Sequence, residues 1–392
     1  MRGSLSPGPA RRPGDAPAHD PRGRAHGAVV FAAGPRRSRG RVRPFEPIAG
    51  PIEAGILRPV GWLVKPFCAS ACPARPAASS TTKLGARPLP EPANRDLPIV
   101  FVGGTGRSGT HVVARLLGRH SRLLNISNEV RFHVDPGGFP DLLAGRTSPD
   151  RFIARLRGRW WRGLALQRLS LRGLFRHVDR EVLDDACAAF RRDFDEAPET
   201  ACRELFFALL GPLAAAAGKP GIVEQSCDTI AQAATLRRLF PEAKFIHVVR
   251  DGRDTAASRV AQARWLARPR TLSQGIEWWE RRMRRIDVGV RAVPNEQFLA
   301  VSLDELVELR RRATYHRLRR FVELKQEPLM RRFFRQQMSG SHGNVERWRR
   351  RMSPDRQRLV SERYVAVLDG LERDSINGYR MLRRVHSARA GR

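Results

Sequence analysis

Lysine, tyrosine and cysteine are scarce in this chain of 392 residues, which has five lysines, three tyrosines and five cysteines. The cysteines (Cys68, Cys72, Cys187, Cys202, Cys227) form no CxxC pair and have no histidine partner at zinc-ligand spacing, so zinc-finger chemistry is excluded. An odd, sparse set also argues against a disulfide framework and fits reduced thiols in a cytoplasm. No apolar run approaches the roughly 18 residues that cross a membrane. The stretch 27–34 is apolar but short and lacks a cleavage-site pattern, so neither an anchor nor a signal peptide is expected.

Positive charge is abundant. Lys and Arg total 72 against 39 Asp and Glu, for a net charge of +33, and almost all of it is arginine, as in proteins from GC-rich genomes. Residues 1–95 hold 16 basic and 5 acidic residues, so the remainder still carries +22. That charge suits polyanions or a nucleotide with several phosphates. Hydrophobic residues at 41% provide for a globular core.

Residues 1–95 are rich in Pro, Gly, Ala and Arg, without a sustained period of 2 or 3.6. They are expected to be a disordered leader or a mis-assigned start. From Leu97 short apolar runs alternate with helical patterns, which predicts an α/β fold, a parallel sheet flanked by helices. Strands are expected over 98–103 (PIVFVG), 221–225 (GIVEQ), 244–250 (KFIHVVR) and 298–303. Helices are expected over 110–119, 229–240 and 254–266, with a helical, Trp-containing insertion over 149–198 and a helical part beyond Asp304. The whole of 96–392 is expected to be one domain.

The first strand runs into Gly104-Thr105-Gly106-Arg107-Ser108-Gly109-Thr110-His111 and then a helix. Strand, glycine-rich loop and helix N-terminus together make an anion site. Against the nucleotide-triphosphatase pattern GxxxxGK[ST], Gly104 and Gly109 fit, but Thr110 replaces the lysine and His111 the metal-binding hydroxyl. The cation sits inside the loop, at Arg107. A kinase without both groups would be poor at spreading triphosphate charge.

This loop resembles the 5′-phosphosulfate loop of sulfotransferases that use 3′-phosphoadenosine 5′-phosphosulfate, particularly bacterial and tyrosylprotein types with R-S-G-T. Arg250, ending the 244–250 strand, and Ser258, eight residues later, match the pair that binds the donor's 3′-phosphate in that family. Arg can grip phosphate bidentately at a strand's C-terminal end, where ligands of α/β folds bind. Glu129 and Arg131 resemble the E-x-R stretch whose Glu is the general base in tyrosylprotein sulfotransferases; His133 is the rival base. Where many relatives carry K-[ST]-P, this chain reads Gln225-Ser226-Cys227, so leaving-group stabilisation would fall to Arg107, the loop backbone and Ser226. The segment 343–349 resembles one that closes over the nucleotide in relatives, placing Arg347 or Arg349 near the donor.

The resemblance implies a P-loop-type sheet and transfer of a sulfuryl group, with Glu129 and Arg107 catalytic, to a small-molecule, carbohydrate, glycolipid or peptide hydroxyl. It implies no metal. Trp160, Trp161, Trp278 and Trp279 could stack on an acceptor, though packing roles are expected. The arginine runs 281–285 and 347–351 are expected to be solvated helix faces. Competing readings are a P-loop nucleotide kinase and a basic nucleic-acid-binding protein. The Arg250/Ser258 pair opposes the first, and two nucleotide motifs at strand ends oppose the second.

Overall fold

A computed structural model of the chain describes residues 97–163, 173–262, 269–350 and 352–391. The expected leader, residues 1–95, lies outside them. Five parallel strands form the sheet: β1 (Ile99–Gly104), β2 (Leu124–Asn125), β3 (Ile222–Glu224), β4 (Lys244–Val249) and β5 (Phe298–Ser302), in the order β2-β3-β1-β4-β5. The described helices are α1 (Thr110–Leu117), α2 (Phe139–Leu143), α3 (Pro149–Arg155), α4 (Arg180–Asp193), α5 (Pro198–Ala216), α6 (Ala233–Leu239), α7 (Gly252–Gln262), α8 (Leu272–Val290), α9 (Arg311–Phe321), α10 (Pro328–Gln337), α11 (Gly340–Gly343), α12 (Pro354–Arg373) and α13 (Tyr379–Ala390).

Every residue of β1 is buried, as a central parallel strand with helices on both faces requires. Its side chains alternate between two cores. Ile99 and Phe101 pack with Phe206, Phe240 and Phe245, while Val100 and Val102 pack with Val113, Leu117 and Ile246 of the opposite face. Full burial of each large apolar side chain contributes roughly 1.5–3 kcal/mol. The segment 149–198 joins the first core through Phe152, Leu156, Trp160, Leu183 and Phe190.

Two expected helices begin elsewhere. The 229–240 pattern opens with a 3₁₀ turn over Cys227–Thr229, and α6 starts only at Ala233. The 254–266 pattern starts earlier, at Gly252, and is described to Gln262. No helix among the described residues is long and apolar enough to cross a membrane.

The strand order sets the location of the site. The chain leaves β1 toward β2 on one side and later crosses to β4 on the other, so β1 and β4 are neighbours at a topological switch point. Gly104 lies in register with Val248. A crevice outside the C-terminal ends of such strands is where α/β folds bind ligands.

Candidate functional site

The loop after β1 folds as it does because its residues accept left-handed backbone angles. Gly106 has φ 80° and Gly109 φ 95°. A Cβ on Gly109 would also stand 2.7 Å from Leu303 Cδ2. Arg107 takes φ 61° without glycine's freedom, a strained placement of the kind that gathers at functional sites. Gly109 caps α1 with no side-chain acceptor, so the first-turn N–H groups face the loop without a side-chain partner. Ser108 is fully buried, and its hydroxyl oxygen has no hydrogen-bond partner.

Arg250, emerging from β4, is brought directly onto this loop. Its Nη1 donates to Arg107 O at 3.1 Å, and its Nη2 donates to Gly343 O and Asn344 O, each at 2.9 Å. Ser258 accepts from Arg107 Nε at 3.0 Å. The structure thus unites Arg107 with Arg250 and Ser258, which lie far from it in sequence. Partial desolvation and the neighbouring charges of Arg250, Arg259 and Arg347 push the Arg107 guanidinium below its ordinary pKa, against an opposing influence from Cys227. None of these four arginines forms a close ion pair with a carboxylate among the described residues, although the Asp254 and Asp304 carboxylates lie within electrostatic reach of Arg250. Like charges gathered in this way favour an anion.

The segment 343–349 is strapped across this corner. Besides the two carbonyls on Arg250, Glu346 N and Trp348 N donate to the Asp254 carboxylate at 2.9 and 3.2 Å. Burial, and then the nearby Asp251, raise the Asp254 pKa to about 7. Asn344 and Glu346 take positive φ of 51° and 53°. Arg347 is near enough to Arg107 to lower its pKa, whereas Arg349 pairs with Glu346 and lines a cleft of about 550 Å³ beside α12 and α13.

Glu129 stands across the loop. Its Oε2 lies 3.2 Å from Arg131 Nη1, and its Oε1 lies 3.7 Å from His111 Nε2 and accepts from Cys227 Sγ at 3.0 Å. Partial burial alone would raise its pKa, but His111, Arg131 and Cys227 outweigh this and hold it at about 2. Arg131 is in turn held by Asp135, through Nε at 3.0 and 3.2 Å, and adopts φ 66°. Glu129 is therefore ionised and fixed, with one oxygen near the loop.

Several expectations are corrected here. Ser226 cannot assist a leaving group, because its hydroxyl donates to Glu224 Oε1 at 2.6 Å and accepts from Arg131 N at 3.1 Å. His133, the rival base, is fully buried against Phe101 and lies 3.1 Å from Glu224 Oε2. Gln225 is 1% exposed, and neither polar atom of its side chain has a partner. Arg282 is no solvated face: it pairs with Asp228 at 2.7 Å and donates to Thr105 O at 3.2 Å. Trp279 and Trp160, by contrast, take the expected packing role in the core, the latter 3.5 Å from Asp135 Oδ2.

Three further residues border the loop. Cys227 and Trp278 both reach to 3.8 Å of where a Cβ on Gly106 would be, and Arg259 lies 5.1 Å from the Trp278 ring. Sequence reasoning missed Arg259, whose signal was its adjacency to Ser258; Cys227 was noted only as part of the Gln225-Ser226-Cys227 stretch, and Trp278 only as one of four tryptophans expected to pack.

The family model described as "Sulfotransferase family" matches residues 98–328. A protein-tyrosine sulfotransferase of Drosophila melanogaster is 28% identical over 170 residues, 43% of this chain and 26% of that protein. Protein-tyrosine sulfotransferase 1 of Danio rerio is 29% identical over 174 residues, 43% of this chain and 37% of that protein. The chain thus spans well under half the length of these curated relatives. A sulfotransferase domain from the curacin biosynthetic pathway overlaps at a TM-score of 0.42 and 16% identity, over 68% of this chain and 96% of that one.

Proposed function

This chain belongs to the sulfotransferase family, and on that premise we propose that it transfers a sulfuryl group from 3′-phosphoadenosine 5′-phosphosulfate to an acceptor hydroxyl. The observation that carries the reading is the joining of Arg107, Arg250 and Ser258 by direct hydrogen bonds beyond the ends of β1 and β4, with Arg259 and Arg347 near enough to depress the Arg107 pKa. The unpartnered buried hydroxyl of Ser108 and the uncapped start of α1 fit the same anionic ligand.

When bound, the donor supplies the sulfuryl group for in-line transfer to the acceptor oxygen. In this scheme Thr105, Gly106, Arg107, Ser108, Gly109, Thr110 and His111 form the loop that receives its phosphosulfate end, with Gly104 closing the strand. Arg250 and Ser258 grip the 3′-phosphate; Arg250 would exchange the strap carbonyls for a charged partner, and hydrogen bonds to charged groups are the stronger kind. Arg107 and the α1 N–H groups steady negative charge as it moves. Glu129 accepts the acceptor's proton, a role suited to a carboxylate kept ionised with Oε1 turned to the loop. The loop has no lysine to make it a triphosphate cradle, so the kinase alternative lacks an equivalent set. The names of the two relatives favour a tyrosine hydroxyl among the carbohydrate, glycolipid, tyrosine and small-alcohol acceptors.

Calorimetry of 3′,5′-adenosine bisphosphate with the full chain, compared with 5′-AMP, tests the donor assignment. Tight binding of the bisphosphate and weak binding of AMP are expected. Equal binding of both, or binding of neither, would overturn the reading.

A further inference from the structure

Cys227 has no place in the scheme above, yet it touches both halves of the site. Its Sγ lies 3.0 Å from Glu129 Oε1 and, on the other side, 3.8 Å from the Cβ position of Gly106 in the loop. Its backbone is fixed from behind. Ser226, the preceding residue, is locked to Glu224 through both N and Oγ, and Thr229 Oγ1 donates to Ser226 O at 2.9 Å. The 3₁₀ turn Cys227–Thr229 then sends the thiol toward Glu129.

We infer that Cys227 is a positioning residue for Glu129: its S–H donates to Oε1 and holds the carboxylate at a set distance from the loop, while Arg131 holds Oε2. The inference deepens the sulfotransferase reading and rests on Glu129 being the base. Three side chains face the carboxylate: His111 from α1, Arg131 from the stretch after β2, and Cys227 after β3. Arg131, Arg282 and Glu129 in turn surround the thiol.

The choice of sulfur has a chemical reason. A thiol is a weak donor, so it orients the carboxylate while withdrawing less basicity than a hydroxyl would. Burial first, and then the Glu129 charge, push the thiol's pKa well above its ordinary value, so the proton stays on sulfur and available to Oε1. Fixing a base within a few tenths of an ångström is the kind of contribution that preorganisation makes to rate.

Two measurements decide it. The first is independent of sulfuryl transfer: the alkylation rate of Cys227 by iodoacetamide at pH 8, followed by peptide mass spectrometry, in wild type and Glu129→Gln. Removing the carboxylate charge is expected to speed alkylation about tenfold, as thiolate becomes accessible; unchanged rates would refute the contact. The second is kinetic, with bisphosphate binding measured alongside. Cys227→Ala is expected to lower kcat roughly five- to tenfold with acceptor KM and bisphosphate Kd unchanged, and Cys227→Ser to restore most of it. An unchanged kcat, or a loss expressed only in KM, would overturn the inference. Absence of bisphosphate binding in the wild type would instead sink the donor assignment and leave the alkylation result to stand alone.

Discussion

The two sides of the cleft solve opposite electrostatic problems. On the donor side Arg107, Arg250, Arg259 and Arg347 crowd together, and the buried Nε of Arg259 has no partner. On the base side charges are matched in a chain: Asp135 holds Arg131, Arg131 holds Glu129, and Glu224 holds Ser226 and His133. A cluster of like charges gains most from a ligand's opposite charge, whereas a satisfied network keeps one group in one pose. Under the proposed function the donor side would bind and the base side would orient. The comparison predicts that substitutions of Arg250 and Ser258 on the first side act on affinity, and substitutions on the second act on rate.

The largest effect is expected from Glu129→Gln. If the base side serves only the proton, kcat should fall by roughly 10²–10⁴, while bisphosphate affinity stays within about twofold. A matching loss of affinity, read by calorimetry, would erase the distinction. The same residue gives the next effect, on stability. Its pKa is lowered from 4.5 to about 2, so the stabilisation is fully present above pH 4.5 and is lost as pH falls toward 2. The gap corresponds to about 3 kcal/mol at most, of which ~2 kcal/mol should be gone by pH 3. Urea unfolding of wild type and Glu129→Gln at pH 5.5 and 3 measures this: the difference between the two proteins should shrink by that amount.

The loop and the Arg250–Ser258 corner were legible in the sequence as local pattern, and the surroundings of Glu129 only partly so. Strand, glycine loop and helix are local, and Arg250 with Ser258 sits on one strand end and the helix after it, so short-range pattern suffices. The parallel sheet was likewise announced by buried runs such as PIVFVG and KFIHVVR. The base side is assembled from three chain segments, 111, 129–135 and 224–227, through hydrogen bonds that no periodicity encodes. Ser226 looked free because Glu224, two residues earlier, reads as an ordinary strand residue until its side chain is seen to take the Ser226 hydroxyl. Arg282 looked solvated because a run of arginines on α8 hides the one that turns inward to Asp228.

Arg250→Ala sharpens the donor side further. Removing a charge-assisted grip on phosphate costs about 1.5–3 kcal/mol, roughly 10- to 150-fold in bisphosphate Kd, with AMP binding little altered. The strap also loses the bonds that Arg250 donates to Gly343 O and Asn344 O, so faster proteolysis within 343–349 should accompany the affinity loss.

Ser258→Ala should give the smallest change, and it separates two ways of building the same corner. Ser258 Oγ accepts from Arg107 Nε at 3.0 Å, so the hydroxyl aims the guanidinium as well as being placed to donate to an incoming phosphate. If it only donates to the ligand, the variant loses one hydrogen bond, about 1 kcal/mol or roughly fivefold in bisphosphate Kd, and kcat is unchanged. If aiming Arg107 matters as much, kcat falls too, because Arg107 lies on the loop that faces the reacting end. The comparison of the two sides predicts the first result: an affinity residue on the binding side, with the rate left to Arg107, Glu129 and the groups that hold Glu129.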